Sequence, residues 1–422
     1  MKKIVLLVSA ITCSFWALGQ NSISLNDCIA QAEQHSPQAN LLPIIQKATD
    51  LQVELLQKNY LPQSSASGQA TWQSATTSLP IQLPGIDVEP LSRFQYKATV
   101  DVTQSIWDGG LTKQQQIVAK TSALADAEKV KTDLYSLREQ VSTLFFGVVL
   151  ADKQIENAAL LRKDLEAKIT KAKNLKAGGL AIGNNILALD ARLIELEQQV
   201  NDALSRKNAA LQALALLTNN VNIANSTFTL DADLPIADTT SLNRPELNYF
   251  KAQTAAISAS ERLIKAKNMP KIGAFATAGV GRPSLNFLLN DVQPYFIAGV
   301  QLRAPLTHLY SKSPNIERQQ LLVNKEKIAQ QEKNFIWLTK VKAASQHQDI
   351  ERFDNLLAND NKLIAIRQQM LETADVQLEN GIITTNDYLT EANNVDLARQ
   401  NLILHQIQRL QAINALAITV GK

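Results

Sequence analysis

Residues 111–176 read LTKQQQIVAKTSALADAEKVKTDLYSLREQVSTLFFGVVLADKQIENAALLRKDLEAKITKAKNLK, with no proline and one glycine, Gly147. An uninterrupted helix over that span would be ~100 Å long at ~1.5 Å per residue, whereas helices of globular domains usually hold ~10 to 14 residues. Leu134, Leu137, Val141, Leu144, Val148, Ala151, Ile155 and Ala158 recur at spacings of three and four, the heptad pattern by which helices wind around one another. The span therefore requires other helices along its length.

The whole chain has 422 residues, 45% hydrophobic and 19% charged, with only 5% aromatics. Gln, Asn, Ala and Leu are abundant, a bias that suits long helices with thin seams of small residues better than one aromatic-rich core. Residues 1–19 join Lys2 and Lys3 to an apolar run that continues to Trp16 and to the small residues Ala17 and Gly19. This predicts a secretory signal peptide cleaved after Gly19 and an exported mature chain. Lipid attachment at Cys13 fits less well, because Ala10 and Thr12 are poor neighbours for it. Cleavage leaves Cys28 as the single cysteine, which excludes an intrachain disulfide. Against 42 basic and 39 acidic residues, loss of Lys2 and Lys3 leaves the mature chain nearly neutral, without the electrostatic footprint of a nucleic-acid binder. No later stretch offers the ~18 uncharged apolar residues of a membrane helix. Any contact with a membrane falls to strands.

The chain repeats itself. Ser36-Pro37-Gln38 opens a predicted helix over 36–59 that stops at Leu61-Pro62; Arg244-Pro245-Glu246 opens one over 244–268 that stops at Met269-Pro270, and the two proline pairs are separated by the same interval. Pro43 is expected to kink the first helix near its start. Gly179-Leu180 matches Gly381-Ile382, and Leu214-Ala215-Leu216 matches Leu416-Ala417-Ile418, again at one common offset. Self-similarity over about half the chain outweighs any local propensity. The reading is a first repeat over 20–218, an Asn-, Asp- and Thr-rich linker over 219–243 and a second repeat over 244–422. Each repeat reads helix, two strands, very long helix, turn, shorter helix. The long helices fall at 111–176 and 314–379, with Pro314 at a first helical position, and the shorter ones at 184–219 and 384–420. In each repeat the two short helices together match the long one in length.

The predicted strands are 66–76, 94–106, 272–280 and 295–304. The second alternates cleanly, with Phe94, Tyr96, Ala98, Val100 and Val102 on one face and Gln95, Lys97, Thr99, Asp101 and Thr103 on the other, the mark of a strand with an apolar and a polar side. In the last, Phe296, Ala298, Val300 and Leu302 oppose Gln301 and Arg303. Strands of ~10 residues span a bilayer when tilted. Lys97, Asp101, Gln301 and Arg303 are then expected to face a lumen. Phe94, Tyr96, Tyr295 and Phe296 at the loop ends, and Trp107 and Tyr310 at the opposite ends, are expected at the lipid interfaces. The same aromatics also suit the core of a soluble sandwich. The connections hold Pro80, Pro84, Pro90, Pro283 and Pro294 and read as exposed loops.

In this order the chain resembles the TolC-like outer-membrane efflux channels. The resemblance rests on the Leu61-Pro62 and Met269-Pro270 pairs before strands, on Ser105-Ile106-Trp107-Asp108-Gly109-Gly110 where a strand passes into the long helix, on Asn243-Arg244-Pro245-Glu246-Leu247, and on the turns Gly179-Leu180 and Gly381-Ile382. It implies a mainly α protein with a membrane β-barrel: a homotrimer whose chains supply four strands each to a twelve-stranded barrel, continued by a tunnel of coiled-coil-like helices across the periplasm. It implies an outer-membrane location, a periplasmic adaptor protein and an inner-membrane pump as partners, no cofactor, and passive export of small molecules or polypeptides. Four strands cannot cover their own edges, so closure needs further copies.

By that resemblance the turns are periplasmic tips where the tunnel narrows, built from Gly179, Leu180, Asn184 and Asn185 and from Gly381, Ile382, Ile383, Asp387 and Thr390. Family members often carry two acidic residues one turn apart after the second tip; here the first is Asp387 and the second position is Thr390. Three Asp387 carboxylates around a pore would attract cations. The plainer alternative is an Asp near a helix N-terminus. The four histidines His35, His308, His347 and His405 lack metal-ligand or nucleophile-partner spacing, and an enzyme is not expected. The competing reading is a secreted coiled-coil scaffold or a barrel-anchored adhesin without a conducting lumen.

Overall fold

A computed structural model describes residues 22–77, 90–177, 183–230 and 234–422. The expected signal peptide, Cys13, Pro80, Pro84 and the tip residues Gly179 and Leu180 lie outside the described residues. Along the chain run β1 (Ser22–Ile23), α1 (Leu25–His35), α2 (Leu41–Gln57), β2 (Gln63–Trp72), β3 (Phe94–Trp107), α3 (Leu111–Ala177), α4 (Gly183–Thr218), β4 (Thr227–Phe228), α5 (Pro245–Lys267), β5 (Lys271–Arg282), β6 (Gln293–Arg303), α6 (His308–Ser311), α7 (Ser313–Glu379) and α8 (Thr385–Val420). The chain is mostly helical; α3 and α7 have 67 residues each and α4 and α8 have 36 each. Among the described residues no helix is long and apolar enough to cross a membrane. The chain forms two compact units, each drawing on both halves of the sequence: residues 1–36, 134–242 and 340–422 in one, 37–133 and 243–339 in the other.

The second of these units holds a four-stranded antiparallel sheet in the order β2-β3-β5-β6. Strand β2 starts and stops earlier than the expected 66–76. Its first residues, Gln63-Ser64-Ser65, pair with Thr103-Val102-Asp101 although they carry no apolar alternation to mark them. β2 and β6 are edges, and among the described residues one chain closes no barrel. A bulge between Ser105 and Trp107 sets Trp107 opposite Ile272. Without it Trp107 would fall on the other side of the sheet. Asp108 then turns the chain into α3. Its Oδ2 accepts the Thr112 N–H at 2.7 Å, and its Oδ1 accepts the Gly110 N–H at 2.9 Å and the Tyr60 hydroxyl at 3.0 Å. Gly109 and Gly110 take positive φ of 68° and 79°, and a Cβ on Gly109 would lie 2.4 Å from Met269 Cβ. Here α5 buries Ala252, Ala259 and Ala266, a seam of small residues at heptad spacing. Against it runs the start of α7, with Phe250 and Phe335 centroids 6.0 Å apart and Arg318 Nε 2.6 Å from Glu261 Oε1.

The expected helix over 36–59 is the shorter α2, and a further helix, α1, precedes it. Ser24 and Asp27 form a capping box, Asp27 Oδ2 accepting the Ser24 N–H at 3.0 Å and Ser24 Oγ the Asp27 N–H at 3.2 Å, which starts α1 well before Pro37. α1 buries Cys28, Ile29 and Ala32, and α2 begins only at Leu41. Pro43 is not a kink: it is the third residue of α2, in the first turn, where no intrahelical acceptor awaits its missing N–H.

In the first unit, the core gathers Cys28, Ile29, Val141, Phe145, Phe146, Leu211, Leu214 and Ile223. Phe145 and Phe228 centroids lie 5.2 Å apart. The seam of α3 is therefore not made of small residues alone. The 219–243 segment contributes β4, which pairs in parallel with β1 through Ser22–Thr227 and Ile23–Phe228. Antiparallel hairpins form from α3 with α4 (Lys207 Nζ to Asp152 Oδ1 2.6 Å, Arg162 Nη2 to Glu197 Oε1 3.1 Å) and from α7 with α8 (Arg409 Nε to Asp354 Oδ1 2.5 Å, His405 Nδ1 to Asp360 Oδ2 2.6 Å).

Candidate functional site

The second turn is built from backbone chemistry. α7 ends at Glu379, Gly381 adopts φ 68°, its N–H donates to Leu378 O at 3.1 Å, and the Ile382 N–H donates to Gln377 O at 2.8 Å. This is the paired-carbonyl glycine cap that closes helix C-termini. Thr384 then opens α8 with a capping box: Asp387 Oδ2 accepts the Thr384 N–H at 2.9 Å and its hydroxyl at 2.7 Å, and Thr384 Oγ1 accepts the Asp387 N–H at 3.2 Å. Those two bonds from Thr384 hold the Asp387 carboxyl below the usual carboxylate range. Asp387 is thus a capping residue whose carboxyl stays ionised. Thr390 Oγ1 donates back to Asn386 O at 2.9 Å. Ile382 is 70% exposed, while Ile383 packs on the local core. At the first turn, Asn184 and Asn185 lie in the opening residues of α4.

Behind these turns lies a polar network that the sequence reading missed. Asp396 on α8, 4% exposed, accepts from Asn157 on α3 (3.0 Å), from Arg192 on α4 (3.1 Å) and from Gln400 (2.8 Å). The Arg192 side chain is itself only 11% exposed. Lys168 pairs with Asp375 and rests 5.1 Å from the Tyr388 ring centroid, and Lys171 Nζ lies 2.5 Å from Glu379 Oε1. The α3–α4 hairpin is thereby tied to the α7–α8 hairpin. Burial, then the carboxylates Asp375 and Asp164, push the Tyr388 phenol up to about 12. One signal was available: Leu389, Ala392 and Asp396 share the three–four spacing, so Asp396 puts a carboxylate in an apolar seam. Arg192, its partner, gave no such sign.

In the other unit the ladder sorts the sheet into two faces. Lys97, Asp101, Gln301 and Arg303 share one with Gln63, Ser65, Ser67, Gln69, Thr99 and Thr103. Asp101 Oδ1 accepts from Thr277 Oγ1 at 2.6 Å and its Oδ2 from Thr99 Oγ1 at 2.9 Å. Tyr295 corrects the expected aromatic set: it pairs with Gly279 opposite Thr99, on the polar face, with its ring over the space that glycine leaves. Phe94, Tyr96 and Phe296 lie on the apolar face with Trp72, Val100, Val300 and Leu302, all exposed. The bulge brings Trp107 to that face as well. Tyr310 belongs to α6 and is exposed.

No protein-family model matches the chain, and no curated protein sequence matches it. Solved structures do. The outer-membrane channel OprN matches with a TM-score of 0.69 at 14% identity, over 94% of this chain and 89% of that one. The outer membrane protein VceC of Vibrio cholerae matches at 0.65 and 14%, over 94% and 96%. The Campylobacter jejuni CmeC outer membrane channel matches at 0.65 and 16%, over 94% and 85%. The chain has the fold of these outer-membrane channels. The likeness is one of fold, helices and antiparallel sheet together over nearly the whole of this chain.

Proposed function

We propose that this protein is an outer-membrane export channel, a passive conduit for small molecules or polypeptides expelled by an energised inner-membrane pump through a periplasmic adaptor. The observation that carries the reading is the sheet: one face apolar and exposed, the other polar, and both edges unpaired among the described residues. A water-soluble scaffold has no use for exposed Val300, Leu302, Phe296 and Trp72 on one face, whereas lipid requires such a face and forbids open edges. Three copies joined β6 to β2 would close twelve strands, with Lys97, Asp101, Gln301 and Arg303 toward water. The exposed Leu41, Ile44, Leu51 and Leu55 of α2 then meet neighbouring subunits. No catalytic step is assigned, and the driving energy comes from the pump.

The turns after α3 and α7 serve as periplasmic tips, the region of Gly179, Leu180, Asn184, Asn185, Gly381, Ile382, Ile383, Asp387 and Thr390. Opening there requires the Asp396–Arg192 and Lys168–Asp375 links to yield. Asp387 gives each mouth three fixed negative charges. Asp387→Asn keeps an acceptor for the Thr384 N–H and removes only the charge, so cation selectivity in planar bilayers should fall while assembly is retained. The reading as a whole is tested by the mass and single-channel conductance of the detergent-purified oligomer: a conducting trimer supports it, and a monomer without conductance overturns it.

A further inference from the structure

The last rung of the β5–β6 ladder pairs Lys271 with Arg303. Both side chains project from the polar face, since Gly273–Gln301 is the preceding pair on that side and Ile272–Leu302 lies on the other. Like charges set directly opposite in a ladder repel and destabilise the pair, and among the described residues neither cation has an acidic partner. The strand residues of that face carry Lys97, Lys271 and Arg303 against one acid, Asp101. Asp101 accepts from the Thr277 and Thr99 hydroxyls, and the base that acts on it is Lys97, not Lys271 or Arg303. Two cations without an acidic partner among the described residues stand side by side where an Asp or Glu would relieve them.

We propose that the Lys271–Arg303 rung is an anion-selecting girdle, which favours passage of solutes bearing carboxylate or phosphate groups. The proposal rests on the reading of the polar face as a lumen wall. Three copies then bring six cations to one level of a water-filled passage with low-dielectric walls, an arrangement that concentrates field and counter-ions. This site acts independently of the carboxylates at the helix tips, because it lies on the sheet and uses different residues. An anionic solute gains there what the bare rung lacks, a counter-charge within about one Debye length, ~10 Å at 0.1 M salt.

The test is the reversal potential of the reconstituted trimer under a potassium chloride gradient at low ionic strength. K271Q/R303Q should lower the chloride-to-potassium permeability ratio about two- to fivefold, K271E/R303E should lower it further, and the charge-conserving K271R/R303K should leave it unchanged. Should the double variants not assemble, Arg303→Gln alone, on an exposed side chain, should give a smaller shift of the same sign. Conducting channels whose ratio is the same in wild type and in the neutral and reversed variants would overturn the girdle while leaving the channel reading intact. A wild-type protein without conductance would overturn both.

Discussion

At the residue scale, three aspartates divide the labour. Asp108 caps α3 and locks the end of β3 to it. Burial opposes its charge, but the N–H groups of Thr112 and Gly110 and the Tyr60 hydroxyl outweigh burial and hold the carboxyl below its ordinary value. A group whose folded pKa is depressed stabilises above its unfolded pKa and loses that contribution as pH falls through the folded one. The Asp108 contribution should thus be complete at neutral pH and disappear below about pH 4. Asp108→Ala should cost about 1–2 kcal/mol and flatten the acid limb of oligomer heat stability. Asp396 is a different case. Asp396→Ala takes from Arg192 its buried carboxylate and leaves it only the exposed Glu195 at 3.2 Å, a change of about 1–3 kcal/mol, and should loosen the tie between the hairpins, raising single-channel conductance or antibiotic leakage into cells. Asp396→Leu with Arg192→Leu should restore much of the heat stability, because no lone charge remains. The cap that Asp387 forms with Thr384 and the sheet face that Lys97 shares could be read from neighbours in sequence. Asp396 could not be completed that way, since its partner lies on another helix about half the chain away.

At the element scale, long periodic helices were the most legible feature. The predicted spans 111–176 and 314–379 differ from α3 and α7 by one residue, because tens of residues without proline leave no competing structure. Short elements fared worse. α1 hides behind the conspicuous Ser36-Pro37 pair, although Ser24 and Asp27 have the spacing of a capping box. β1 has two residues and exists only through its partner β4. β2 is small and polar at its start, so its register is set by β3 rather than by its own pattern. The strand-to-helix corner should discriminate between adjacent glycines. Both Gly109→Ala and Gly110→Ala meet the left-handed penalty of roughly 1–2 kcal/mol. Only the former also drives a Cβ into Met269. Gly109→Ala should therefore reduce folded oligomer sharply and Gly110→Ala mildly, as read by heat-modifiable migration on gels.

At the scale of the whole molecule, what the chain leaves open says most. The apolar face of the sheet is exposed in the single chain, with Val300 at 70%. Val300→Arg should cost about 2–4 kcal/mol near a bilayer midplane and deplete the protein from outer membranes. Ser67→Arg, on the polar face, should leave insertion unchanged; equal depletion by both would argue against lipid on one side only. The alternation of β3 and β6 made this two-sidedness readable in the sequence, and the one misassigned aromatic, Tyr295, sits one residue off that alternation.

The free edges of β2 and β6 have a genetic corollary. On the proposed threefold closure, each copy completes its neighbour's ladder, and a ring has no means of rejecting a partner whose strands pair normally but whose tips are faulty. In a cell making equal amounts of normal and tip-defective chain, only about one ring in eight would be wholly normal. Defects in the helical tips should therefore be dominant. Defects that stop β2 or β6 from pairing should be recessive, because such chains never enter the ring.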